Sequence, residues 1–183
     1  MFKKISIVLI IAFNLFAVAY LISPVPKVPD LVNSVKSQEP GDTVQIPNVS
    51  GYYTNMTRTE VMNFYKAHYT SPFLININYP PEKAKEVIKD TIQSYYFEEF
   101  NIPFKESLYV NGFEWENDVF TKPEKRIKNK LIYNGKEYKA KITIRTFPVS
   151  VPKRLFSFLF TESVIISGLF LYKKMVFTKK KNG

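Results

Sequence analysis

Few side chains in this sequence could do chemistry, and they are thinly spread. Glu114 and Glu116 stand two apart with Asp118 just beyond, and His68 is the only imidazole. Carboxylates at i and i+2 share one face of a strand, a spacing that suits a hard divalent cation or an acid/base pair. The competing role for Glu114 and Glu116 is a solvated face opposite Phe113 and Trp115. His68 falls on the stripe of a helix with Val61, Phe64 and Tyr65, which favours a structural imidazole over a general base. The chain has no Cys, so thiol nucleophiles and disulfides are excluded. A single His makes the common zinc sets hard to assemble. None of the 6 Gly has phosphate-loop spacing, and there is no nucleophile elbow. No metal or cofactor is expected.

The elements that must carry these residues are legible in patches. Thr57-Arg58-Thr59-Glu60 has capping-box spacing and predicts a helix over 58–69. Residues 73–79 alternate as a strand with Phe73, Ile75, Ile77 and Tyr79 on one buried face. Pro80-Pro81 ends that strand. Ala84, Val87, Ile88, Thr91, Ile92 and Tyr95 then recur at helical spacing and predict a helix to about residue 98. Asn111-Gly112 and Asn134-Gly135 each sit between short apolar runs and predict two hairpins with type I′ turns. Tyr138 to Thr146 alternates apolar residues with Lys139, Lys141, Thr143 and Arg145, giving a strand with one buried and one basic, wet face. The expected fold class is α+β: a small antiparallel sheet with one or two packed helices over residues 52–150.

Outside that domain the chain is organised by apolar runs and charge. Residues 1–4 are short and basic, and 5–22 form 18 residues without a charge, enough at ~1.5 Å per residue to cross a ~30 Å hydrocarbon core. Residues 155–172 form a second apolar run, interrupted by Glu162. The net charge is +10, and its excess sits beside these runs rather than in the central domain. Lys3 and Lys4 at one end, and Lys173, Lys174, Lys179, Lys180 and Lys181 in the tail 173–183, place both termini in the cytoplasm. A cleavable signal is the rival reading of the first run, with Ala17-Val18-Ala19 as the cleavage sequence and Tyr20 as the first mature residue. Both readings send the central domain across the membrane. Residues 23–51, rich in Pro, are expected to form a stiff stalk.

Three features suit binding. Glu162, placed in lipid, is expected to face protein: either Asn14 of the first run or a partner membrane subunit. The basic residues between Lys122 and Arg145 could meet anionic headgroups or wall polymers, while an outside location makes nucleic acid an implausible ligand. Phe113, Trp115, Lys122 and Arg126 lie in the most particular run of the chain.

That run, Asn111-Gly112-Phe113-Glu114-Trp115-Glu116-Asn117-Asp118-Val119-Phe120-Thr121-Lys122-Pro123-Glu124-Lys125-Arg126, resembles a segment of membrane-anchored proteins of small-genome bacteria. Pro24–Pro29 and Gly51-Tyr52-Tyr53 extend the resemblance to about a third of the chain. It implies a bacterial cell envelope and supplies no catalytic residue. The run reads either as a recognition loop or as the stretch that closes the core between two hairpins.

Two functional classes follow. One is a non-enzymatic interaction or accessory subunit held to the bilayer at both ends. The other is an envelope enzyme acting on lipid or wall polymer, with Glu114, Glu116, Asp118 and His68 as its candidates.

Overall fold

The computed structural model describes residues 2–40, 42, 46–87 and 95–181. Eight strands and four helices occur along the described chain. They are α1 (Phe2–Ile22), β1 (Ser34–Lys36), β2 (Val49–Thr54), α2 (Arg58–His68), β3 (Ile75–Tyr79), α3 (Ala84–Val87), β4 (Tyr96–Ile102), β5 (Glu106–Glu114), β6 (Leu131–Tyr133), β7 (Lys136–Tyr138), β8 (Ala140–Pro148) and α4 (Val151–Lys181). Short 3-10 turns cover Pro81–Lys83, Trp115–Asn117 and Pro123–Asn129. Two bodies result, Val25–Pro148 and the pair of terminal helices.

The first body is built on a six-stranded antiparallel sheet ordered β1-β2-β8-β5-β4-β3, with β6 and β7 as a separate two-stranded hairpin. Because side chains alternate across a strand, the register places Tyr52, Tyr96, Phe100, Leu108, Val110, Ile142 and Ile144 on one face. Helix α2 covers it, with Tyr65 and Tyr69 packed against Phe100. The helix begins where its cap dictates: the Thr57 amide donates to the Glu60 carboxylate at 2.7 Å and the Thr57 hydroxyl accepts from the Glu60 amide. The opposite face is covered in two places. Ala84 and Val87 of α3 pack over Phe97, Tyr79 and Tyr109, and the β6–β7 hairpin lays Tyr133 flat on Tyr53, with centroids 4.6 Å apart.

Several expectations are corrected. Asn111-Gly112 makes no hairpin: β5 runs straight through it, pairing with β4 on one side and β8 on the other. Only Asn134-Gly135 turns, with φ of 50° and 74°. The helix expected to reach residue 98 is described over Ala84–Val87 alone, and Tyr96 already belongs to β4; residues 88–94 lie outside the described chain. Strand β3 exists, but Ile75 and Ile77 are exposed, because it is the last strand of the sheet and α3 shields only its Tyr79 end. The stalk expected over 23–51 instead contains β1 and the start of β2. Its Asp30 accepts hydrogen bonds from Tyr52 at 2.5 Å and from Lys36 at 2.8 Å, and Leu31 is buried. The wet basic face of β8 is also corrected. Lys141 is pinned by Glu39 and Asp42, and Arg145 donates to the Val87 carbonyl and lies over the Phe147 ring.

The second body consists of α1 and α4, both long and apolar enough to cross a membrane over Ile5–Ile22 and Val151–Val176. Their large side chains, such as Leu15, Phe16, Phe156 and Phe170, are exposed. The junction between them is polar. Arg154, buried in the first turn of α4, donates through Nη1 to the carbonyls of Leu21 and Ser23 at 3.1 and 3.5 Å, and through Nε to Val149 at 2.6 Å. The guanidinium thus satisfies carbonyls that the end of α1 leaves without helical partners. Glu162 is half-buried in α4, and the amide of Asn14 donates to the Ile10 carbonyl of its own helix at 3.0 Å.

Candidate functional site

The four proposed acid/base residues do not converge. Strand β5 ends at Glu114, so Glu116 sits in a 3-10 turn and the two carboxylates share no strand face. Glu114 accepts from the Asn117 amide at 2.6 Å. His68 lies in the last turn of α2, exposed rather than on the inner stripe; its Nδ1 is 2.8 Å from the Phe64 carbonyl and its ring stacks on Phe64. The neighbouring Tyr69 hydroxyl donates to Glu106 at 2.7 Å, which ties that end of α2 to the Glu106 end of β5. Glu114 is at the other end of that strand, about 26 Å away at ~3.3 Å per residue.

What the structure does assemble is a stapled loop over residues 115–130. Asp118 is its pivot. One carboxylate oxygen accepts the Phe120 amide at 2.9 Å and the other accepts Asn129 Nδ2 at 2.8 Å. Burial pushes the Asp118 carboxyl up, but hydrogen bonds from Thr121, the Phe120 amide and Asn129 outweigh it and hold the group below the usual aspartate range. Arg126 adds a second staple, donating from Nε to the Thr121 carbonyl at 3.1 Å and from Nη1 to the Glu116 carbonyl at 2.7 Å. Lys130 crosses the Trp115 ring 5.3 Å from its centroid and pairs with Glu137 at 2.9 Å, which fastens the loop to β7. The Trp115 indole N–H is buried without a partner among the described residues. Val119, Phe120 and Ile127 remain exposed on this fastened scaffold, as do Lys122, Lys125 and Lys128. Phe113, at the end of β5, is half-buried.

The buried charges escaped sequence reasoning. Glu98 and Glu99 are neighbours on β4 and point to opposite faces, so they cannot act as a pair. Glu98 meets Arg58 at 2.5 Å and Asn76 at 3.0 Å. Glu99 accepts from Tyr79 at 2.5 Å, Ser107 at 2.6 Å and Asn101 at 3.2 Å. That contact raises the Tyr79 phenol to about 12. Lys141 meets Asp42 at 2.9 Å and Glu39 at 3.1 Å, and Tyr53 donates to Glu39 at 2.5 Å. The only sequence signal for Glu98 and Glu99 was their place inside an aromatic run, where two adjacent charges must be satisfied by side chains. An open cleft of ≈ 380 Å³ beside β3 is lined by Arg58, Asn78, Tyr79, Tyr95 and Tyr96. Among the described residues no group of three or more His, Asp or Glu could hold a metal ion.

The fold and the loop together define a small α/β domain with two antiparallel sheets and an apolar helix near each end of the chain. No protein family, curated protein or solved structure matches this chain.

Proposed function

We propose that this protein is a membrane-anchored, non-enzymatic interaction or accessory subunit of a bacterial cell envelope. In this reading α1 and α4 both span the bilayer, the termini are cytoplasmic, and the sheet domain stands outside. The observation that carries it is the Arg154 junction: one buried guanidinium binds the carbonyls at the end of α1 from the start of α4. Such a tie holds the outgoing and returning helices at one level of the membrane. It agrees with the lysine flanks of both helices. The apolar faces that α1 and α4 expose suit lipid, and half-buried Glu162 suits a contact with a second membrane subunit.

The binding surface is the stapled loop. Its hydrogen bonds fix the backbone before any partner arrives, which lowers the ordering cost of association. Val119, Phe120 and Ile127 supply apolar anchors, ringed by lysines in the manner of an interface core and rim.

The test is extraction of the full-length protein from its native membrane in mild detergent, with intact-mass analysis of everything recovered. A retained N-terminus and a stoichiometric partner are expected, with the partner lost in Phe120→Asp and Ile127→Asp but kept in Glu114→Ala and Glu116→Ala. A chain lacking residues 1–19 overturns the double anchor. A partner lost only with the carboxylate variants returns the protein to the enzyme class.

A further inference from the structure

Two bulky aromatics occupy backbone conformations that disfavour any side chain. Phe73 has φ 65° and Phe104 φ 63°, in the left-handed region where Cβ crowds the backbone. Strain of this kind persists where it serves a purpose, yet both rings stay largely in solvent, at 59% and 67% exposure. The sheet register brings them to one end. Phe73 precedes β3, whose Ile75 pairs with Asn101 near the end of β4. Phe104 lies in the turn between Ile102 and Glu106, which pair with each other. Glu106 in turn pairs with Pro148, the last residue of β8. Ile75 and Phe147, 49% and 40% exposed, extend the apolar surface at this end.

The same end hands the chain to α4. Pro148 closes β8 and Val151 opens the helix, with only Val149 and Ser150 between them in the chain. The opposite end, with the stapled loop, lies a full β5 length further on.

We propose that Phe73 and Phe104 form a membrane-facing tip, inserting their rings into the interfacial layer of the bilayer that α4 enters. Phe is among the apolar side chains that bury at the boundary between headgroups and acyl chains. The left-handed turns project them beyond the last hydrogen-bonded residues of the sheet. The inference rests on the membrane-anchored reading.

The absence of Cys makes the test direct. Single variants Phe73→Cys, Phe104→Cys, Ile127→Cys and Leu169→Cys of the full chain carry an environment-sensitive fluorophore in phosphatidylcholine proteoliposomes. Ile127 is the exposed apolar control in the stapled loop, and Leu169 reports on α4 itself. Expected is a loss of most emission from positions 73, 104 and 169 when spin-labelled lipid is added, with position 127 unchanged. Positions 73 and 104 behaving like 127 while 169 is quenched overturns the tip and leaves the anchor standing. If 169 is also unquenched, the anchor itself fails and the tip with it.

Discussion

Gly112 lies against the ring of Tyr96, its direct partner across the β4–β5 ladder, so closely that a Cβ at Gly112 would stand 2.0 Å from Tyr96 Cζ. No side chain fits there unless the buried tyrosine moves. Gly112→Ala therefore overpacks the α2 face and is expected to cost about 1–3 kcal/mol. Tyr96→Leu in the same chain should relieve the contact, so the two changes are non-additive. Gly135 has open space around it and φ 74°, so Gly135→Ala costs only the left-handed strain, about 1 kcal/mol. Thermal unfolding in detergent compares them; equal losses at both glycines, with no coupling to Tyr96, would contradict this account.

These two Asn-Gly pairs show what the sequence could disclose. The same dipeptide, flanked by similar apolar runs, is a turn at 134–135 and the middle of a strand at 111–112. Turn chemistry is local, but the reason for Gly112 is a ring contributed by another strand. The α2 cap was readable because both partners lie within four residues. Strand β4 was not, because it is buried on both faces and its aromatic run has no clean period of two. Lys141 looked like a solvated strand residue since its counter-charges, Glu39 and Asp42, lie about a hundred positions away and come from a stretch that reads as a stalk. In the candidate site, Asp118 was expected as an acid/base candidate and Arg126 as an interaction residue, and spacing alone does not show the hydrogen bonds that each makes inside the loop. They fasten the loop, while its exposed apolar residues, Val119, Phe120 and Ile127, carried no periodic signal.

The α2 cap gives a simple control. Thr57→Ala removes the hydroxyl that accepts the Glu60 amide and is expected to destabilise the domain by about 1 kcal/mol. Thr57→Ser should restore most of it in the same unfolding measurement. A loss that serine does not recover would assign the effect to packing of the threonine methyl.

Lys141 ties Asp42 and Glu39 to the sheet with only 23% of its side chain exposed. Lys141→Met leaves the buried Asp42 carboxylate with the Ser37 hydroxyl but no counter-charge and should cost about 2–3 kcal/mol, below the figure for a fully enclosed pair because solvent reaches the site. Burial lowers the Lys141 pKa, but the Asp42 hydrogen bond and charge outweigh it and the folded value lies above that of a free lysine. Burial, then the Glu39 contact, likewise raises Tyr53 to about 12. Both groups hold protons in the folded state that the unfolded chain releases above about pH 10, so stability falls as pH rises from there. Denaturant midpoints between pH 9 and 11 should drop in the native chain. The drop should be shallower in Lys141→Met, and an unchanged slope would remove Lys141 from this role.

Asp118 makes the opposite pH dependence. Its folded pKa is depressed, so its contribution is complete above the unfolded value of about 3.9 and is lost as pH falls through the lower folded value. Asp118→Asn preserves shape but sets an amide where two donors point, and is expected to cost about 1–2 kcal/mol at pH 7. The variant should lose less stability than the native chain on acidification, since the protonation it would resist is gone. Hydrogen exchange gives a local reading. The Phe120 amide, which donates to Asp118, should exchange faster in Asp118→Asn while the β5 amides keep their protection. If the loop 115–130 stays protected, the carboxylate is not what fastens it, and the weight falls on Arg126.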